Sequence, residues 1–181
     1  MLGFMSERLS SWEKIKQSGR EVVVYGMGNG ADKVLDEFAR LDIKVRGVTA
    51  SDSFVRGQSF RGFTVQKLSE FNGDFIIAVA FASCIPEVME HIYSLCDKYR
   101  VLVPAVPVCG SEIFNREFVE RNSERLMQAH SLFTEDSKKI FAGCVDFMFG
   151  GELNMLRNTT TPKSEAFKGF FRPRSDEAYL D

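Results

Sequence analysis

Between a β-branched run and an amphipathic stretch lies Gly26, Met27, Gly28, Asn29, Gly30 and Ala31, a G-x-G-x-x-G/A spacing in which each small residue has a physical task. Gly26 permits a tight turn, Gly28 lets a diphosphate approach the backbone, and Ala31 keeps the following helix close to the sheet. The N–H groups that open that helix, together with its positive end, favour an anion. Asp52 follows 24 residues after Gly28, just past the next apolar run, where a carboxylate accepts bonds from ribose hydroxyls. Arg56, Gln58 and Arg61 stand within reach of phosphate or sugar groups at the mouth of such a site, arginine being suited to forked contacts with phosphate oxygens. Each feature has a plainer explanation too. The glycines also suit a bare strand-to-helix turn, Asp52 a loop cap, and the arginines a solvated loop.

Other chemistry finds less support. His91 and His130 are the only side chains with an ordinary pKa near neutrality, and each falls in a helical pattern without a Ser or Cys nucleophile in sequence support. Glu87 and His91 are spaced i, i+4, which reads better as a helix surface pair than as two metal ligands, so no metal site is expected. Cys84, Cys96, Cys109 and Cys144 are scattered without a CxxC pair and read as buried thiols in a reducing compartment.

The elements that position these residues follow from periodicity. Ser10 or Ser11, followed by Trp12 and Glu13, gives a Ser-x-x-Glu signal that starts a helix stopped by Gly19 and expected to cover a sheet edge. Residues 21–25 form a strand buried on both faces. Ala31, Val34, Leu35, Phe38 and Leu41 then mark the buried stripe of a helix whose Asp32, Lys33, Asp36, Glu37 and Arg40 face water. A second strand over 45–48 completes a βαβ unit of ~30 residues. Residues 63–65 suggest a short edge strand and 75–79 a third buried one. Ser83 is a candidate cap for a helix with Pro86 in its first turn and Ile85, Val88, Met89, Ile92, Leu95, Cys96 and Tyr99 on its inner side. A fourth strand over 101–103 is closed by Pro104 and Pro107. The turns at 26–31, 50–52, 81–83 and 104–107 all follow strand carboxyl ends, so a doubly wound sheet brings Phe81 and Ser83 to the same crevice as the glycines.

The expected fold class is therefore α/β: a Rossmann-like parallel sheet of about four strands flanked by helices, followed by a helical C-terminal extension. Residues 1–110 make the nucleotide-binding-type domain, 111–157 the helical extension and 158–181 a linker. In the extension, Asn122 or Ser123 restarts a helix, and Thr134, Glu135 and Asp136 open another that Gly150 and Gly151 end. The broad apolar face of that last helix calls for a partner, either a further domain or a second copy of the chain.

Composition narrows the classes. With 23 basic and 25 acidic side chains the net charge is −2, so no broad positive field exists for a nucleic-acid backbone. The apolar start is too short for a signal-peptide core or a membrane span, and a cytoplasmic location is expected. Charged residues at 27% and hydrophobic ones at 44% exclude disorder.

The run from Tyr25 through Lys33, and more specifically the run Ala50-Ser51-Asp52-Ser53-Phe54-Val55-Arg56-Gly57-Gln58-Ser59-Phe60-Arg61-Gly62, resembles the N-terminal region of FkbM family methyltransferases. Residues 80–88 and 103–108 extend the resemblance. It implies a front part that leads into a second Rossmann-like domain, which binds S-adenosylmethionine and transfers its methyl group, commonly to an oxygen of a sugar or related small molecule. Residues 177–181 resemble the first strand of that domain, so S-adenosylmethionine is expected only in a missing C-terminal methyltransferase domain. The front domain is also similar to Rossmann-like domains of sugar-modifying enzymes, which makes a nucleotide or nucleotide sugar its expected ligand. Two alternatives stand beside this: a standalone NAD- or nucleotide-sugar-binding Rossmann enzyme, and a non-catalytic interaction module.

Overall fold

The structure, a computed structural model, describes residues 2–159. The linker expected from residue 158 lies outside these residues, save for Asn158 and Thr159, which belong to a helix. Among these residues six strands form one sheet: β1 (Glu21–Tyr25), β2 (Val45–Thr49), β3 (Ser59–Phe60), β4 (Phe63–Gln66), β5 (Phe75–Val79) and β6 (Arg100–Leu102). Their order is β3-β4-β2-β1-β5-β6, parallel throughout except for the β3–β4 hairpin. The fold is the expected Rossmann-like α/β class: the four strands read from buried runs and the short one suggested at 63–65 are all present, and β3 is the one the sequence reading lacked. Strand β4 is not the edge; it pairs with β2 on one side and with β3 on the other. The hairpin turns on Arg61 and Gly62, both at positive φ, the two-residue geometry that matches strand twist.

Helix α1 (Ser11–Ser18) is closed by a full capping box between Ser10 and Glu13 and stops at left-handed Gly19. It covers a face of the sheet rather than an edge, because Trp12 and Ile15 are buried with Val22, Val24 and Ile76. Helix α2 (Asn29–Arg40) shares that face through Ala31, Val34, Leu35 and Phe38. Glu37 is also buried there, not solvated as expected, and Arg40 grips both its oxygens at 2.6 and 2.7 Å. On the opposite face, Val23, Tyr25, Ile77, Val79 and Val101 pack against α3 (Pro86–Leu95) and α7 (Leu153–Thr159) through Ile92, Leu95 and Leu153. Alternate residues of β1 and β5 thus serve the two faces, as strands sandwiched between helix layers must.

Helices α4 (Arg116–Arg121), α5 (Ser123–Ser131) and α6 (Glu135–Gly150) make the helical extension, with Asn122 between the first two and Thr134 before the third. It is not built from the C-terminal half alone. Leu2 and Met5 fill its core beside Val119, Val145 and Phe149. Arg116 reaches back to both carboxylate oxygens of Glu13 at 2.7 and 3.1 Å. Burial raises the Glu13 pKa, but the Arg116 guanidinium and the Ser10 N–H and hydroxyl outweigh it and hold the carboxyl below its ordinary value. Gly151, left-handed, ends α6, and its carbonyl accepts from Val103 N–H at 2.9 Å, docking the extension on the end of β6. Part of α6 stays uncovered: Ile140, Cys144 and Met148, at i, i+4 and i+8, are exposed. The expectation of buried thiols therefore fails for Cys84, Cys109 and Cys144, all exposed, and holds in part for half-buried Cys96. Among the described residues no helix is long and apolar enough to cross a membrane.

Candidate functional site

From β1 the chain crosses to β2 on one side, while β5 and β6 lie on the other, so β1 and β5 are neighbours whose onward connections part. Such a switch point leaves a crevice beyond the strand carboxyl ends, and the glycine run sits in it. Gly26 has φ 137°, a value L side chains rarely adopt, and its N–H donates to the Thr49 carbonyl at 2.9 Å. Gly28 is the N-cap of α2 with no side-chain cap, in ordinary extended backbone. Its carbonyl accepts from Asp32 N–H at 3.1 Å, so the N–H groups of the first turn have no intrahelical acceptor. A Cβ at Gly28 would meet nothing within 4 Å: the backbone is open to a ligand there. At Gly30 a Cβ would lie 2.4 Å from the Ala80 carbonyl oxygen. The close helix–sheet approach assigned to Ala31 is thus enforced at Gly30, with Ala31 fully buried beside it.

Two cavities open at this point and share Tyr25, Ala50, Ser51 and Val88, which makes them compartments of one crevice. The smaller, about 280 Å³, is lined by Gly26, Met27, Phe54, Phe81 and Ser83. The larger, about 480 Å³, is lined by Asp52, Ser53, Leu68, Glu87 and His91. Together they fall within the ~300–1,000 Å³ usual for small-molecule sites. Tyr25 is 2% exposed, its ring 5.6 Å from that of Phe81 and 6.3 Å from that of His91. Its hydroxyl shares a 3.0 Å hydrogen bond with Ser51. Burial pushes the Tyr25 pKa up, and the Asp52 carboxylate adds to this against the opposing Ser51 hydrogen bond.

Of the residues singled out by sequence, Gly26, Met27, Phe81 and Ser83 line one compartment and Asp52 the other, while Gly28, Asn29, Gly30 and Ala31 build the helix start beside them. Arg56 does not join them: it is exposed and lines neither compartment. Arg61 pairs with Asp36 of α2 and lies 3.9 Å from Asp32, so its charge is already met. Gln58 has a positioning task, its amide donating to the Phe54 carbonyl at 2.8 Å and to the Met27 sulfur at 3.2 Å, which folds the loop after β2 against the glycine turn. Residues 104–107 stay outside the crevice; Lys33 ties them to α2 through the Pro107 carbonyl at 2.5 Å. Ser83 is not the helix cap, since Ile85 is, and Ile85 is exposed rather than on the inner stripe. The Ser83 hydroxyl instead accepts from Ile85 N–H at 3.2 Å.

Tyr25, Phe54, Glu87 and His91 were not anticipated as site residues. The i, i+4 spacing of the last two was the available signal, but only the placement of α3 turns that pair toward the crevice rather than to bulk solvent. Among the described residues no three His, Cys, Asp or Glu side chains gather to hold a metal ion. Compared with known proteins, the chain matches no family model, no curated protein and no solved structure.

Proposed function

We propose that residues 2–159 are a nucleotide-binding accessory part of an FkbM-type methyltransferase, whose crevice takes a nucleotide or nucleotide sugar and whose methyl-donor site belongs to a separate domain. The observation that carries this reading is the uncapped start of α2, open at Gly28, beside a crevice at the β1–β5 switch point. Unpaired N–H groups and the positive helix end there suit a phosphate. In support, the two runs that carry the family resemblance, 25–33 and 50–62, meet at this crevice although they come from different strands. In that role the chain helps catalysis by positioning a substrate. It belongs to a cytoplasmic protein without a nucleic-acid partner, in keeping with a net charge of −2 and four free cysteines.

The test is a thermal-shift and calorimetric panel of UDP-glucose, NAD, NADP, coenzyme A and S-adenosylhomocysteine on the whole chain. A nucleotide ligand at a hundred times its Kd should stabilise the fold by about 2.7 kcal/mol and raise Tm by several degrees. S-adenosylhomocysteine should do neither. Tight binding of that compound, or silence from every nucleotide, would contradict the proposal.

A further inference from the structure

Resting on the nucleotide reading above, we infer that the larger compartment is a carbohydrate subsite, in which Asp52, Glu87 and His91 hold an uncharged, hydroxyl-rich group attached to the nucleotide's phosphates. Among the described residues no lysine or arginine lines either compartment, and the larger one carries two carboxylates. Neither Asp52 nor Glu87 has an ion-pair partner among the described residues, so their oxygens keep their full capacity to accept. A carboxylate repels phosphate or a second acid and calls for O–H or N–H donors. An ammonium group only donates, whereas Ser51, Ser53 and His91 beside the carboxylates can donate as well as accept. Groups that both donate and accept, several to a ring, are sugar hydroxyls. Leu68 and Val88 add apolar surface for the C–H side of such a ring.

The division of labour follows from the charges. Among the described residues the start of α2 offers backbone N–H groups to a phosphate, and no side-chain cation lines either compartment to meet a long polyphosphate. Glu87 and His91 reach the crevice from α3, across from Asp52 after β2, so the subsite is clasped by elements on two sides of β1.

Calorimetry on the whole chain with the matched pairs UDP and UDP-glucose, and ADP and ADP-glucose, decides the matter. The sugar-bearing member of at least one pair should bind roughly tenfold or more tightly, the worth of one or two hydrogen bonds to charged groups. In Glu87→Gln and in Asp52→Asn that ratio should fall to within about threefold, while Glu90→Gln, an exposed change on the same helix, should keep it. Thermal melts confirm that each variant is folded. Equal or tighter binding of the bare diphosphates, or a ratio that survives in both variants, would overturn the subsite and leave the nucleotide reading standing. If no member of either pair binds, the nucleotide reading itself has failed and the subsite with it.

Discussion

Replacing Gly30 by alanine is expected to destabilise the fold by about 2–3 kcal/mol, although helix propensity alone predicts a gain in stability of about 1 kcal/mol from the same change. The two effects have opposite signs, which makes the experiment decisive. The new methyl group would sit 2.4 Å from the Ala80 carbonyl oxygen and 3.2 Å from its carbon. Neither atom can step aside cheaply, because both are backbone at the end of a buried strand whose Ala80 N–H is bonded to the Tyr25 carbonyl at 3.0 Å. Relief requires α2 to lift from the sheet, and that opens the packing of Ala31, Val34 and Phe38. Urea unfolding measures the loss, and for a chain of this size it should appear as a Tm lower by roughly 2–4 °C per kcal/mol. An unchanged or raised midpoint would show that α2 does not cross the end of β5 as closely as described.

Asp146→Ala is expected to cost about 2–4 kcal/mol. The residue is 4% exposed, and its carboxylate accepts from the Ser6 and Glu7 N–H groups at 3.0 Å and from the Ser6 hydroxyl at 2.6 Å. Truncation leaves those donors unsatisfied in a partly buried place, and bonds to a charged acceptor are the stronger kind. The consequence is not confined to α6. Those donors lie just after Leu2 and Met5, which complete the core around Val145 and Phe149, so the loss should release the N-terminal segment along with them. Chemical denaturation gives the size of the effect, and limited proteolysis gives its place: cleavage before residue 10 should accelerate in the variant. Cleavage that is unchanged, or a cost under about 0.5 kcal/mol, would mean that the N-terminal segment is not held through Asp146.

Local signals carried much of the fold. The Ser10 and Glu13 box, the stripe of α2 and the glycine end of α6 appear where the sequence places them, because each rests on neighbours within a few residues. What stayed hidden depends on distant partners. β3 has two residues, too few for an alternation to register, and β4 becomes an inner strand only because β3 folds back on it. Glu37 is buried because Arg40 neutralises it, a pairing that composition cannot distinguish from two solvated charges. The tie from Asp146 to Ser6 spans 140 positions. At the crevice, the position of the glycine turn and of Asp52 was legible because both follow a strand end directly. The position of Glu87 and His91 was not, since it depends on which side of α3 meets the sheet, and the stripe of that helix starts one residue later than the sequence pattern places it, with Ile85 exposed.

Gly28→Asp tests the proposed phosphate site at the start of α2 most directly. The backbone at this position is ordinary for any residue and a Cβ there meets nothing, while aspartate is a favoured N-cap, so the fold should keep its stability or gain a few tenths of a kcal/mol. The new carboxylate would take the same N–H groups and repel a phosphate. Titrating whole chain and variant with UDP-glucose, NAD and ADP-glucose, we expect the ligand that binds the unaltered chain to bind the variant at least tenfold more weakly, with Tm unchanged or higher. Equal affinity in the two proteins, or no nucleotide bound by the unaltered chain, would contradict the account.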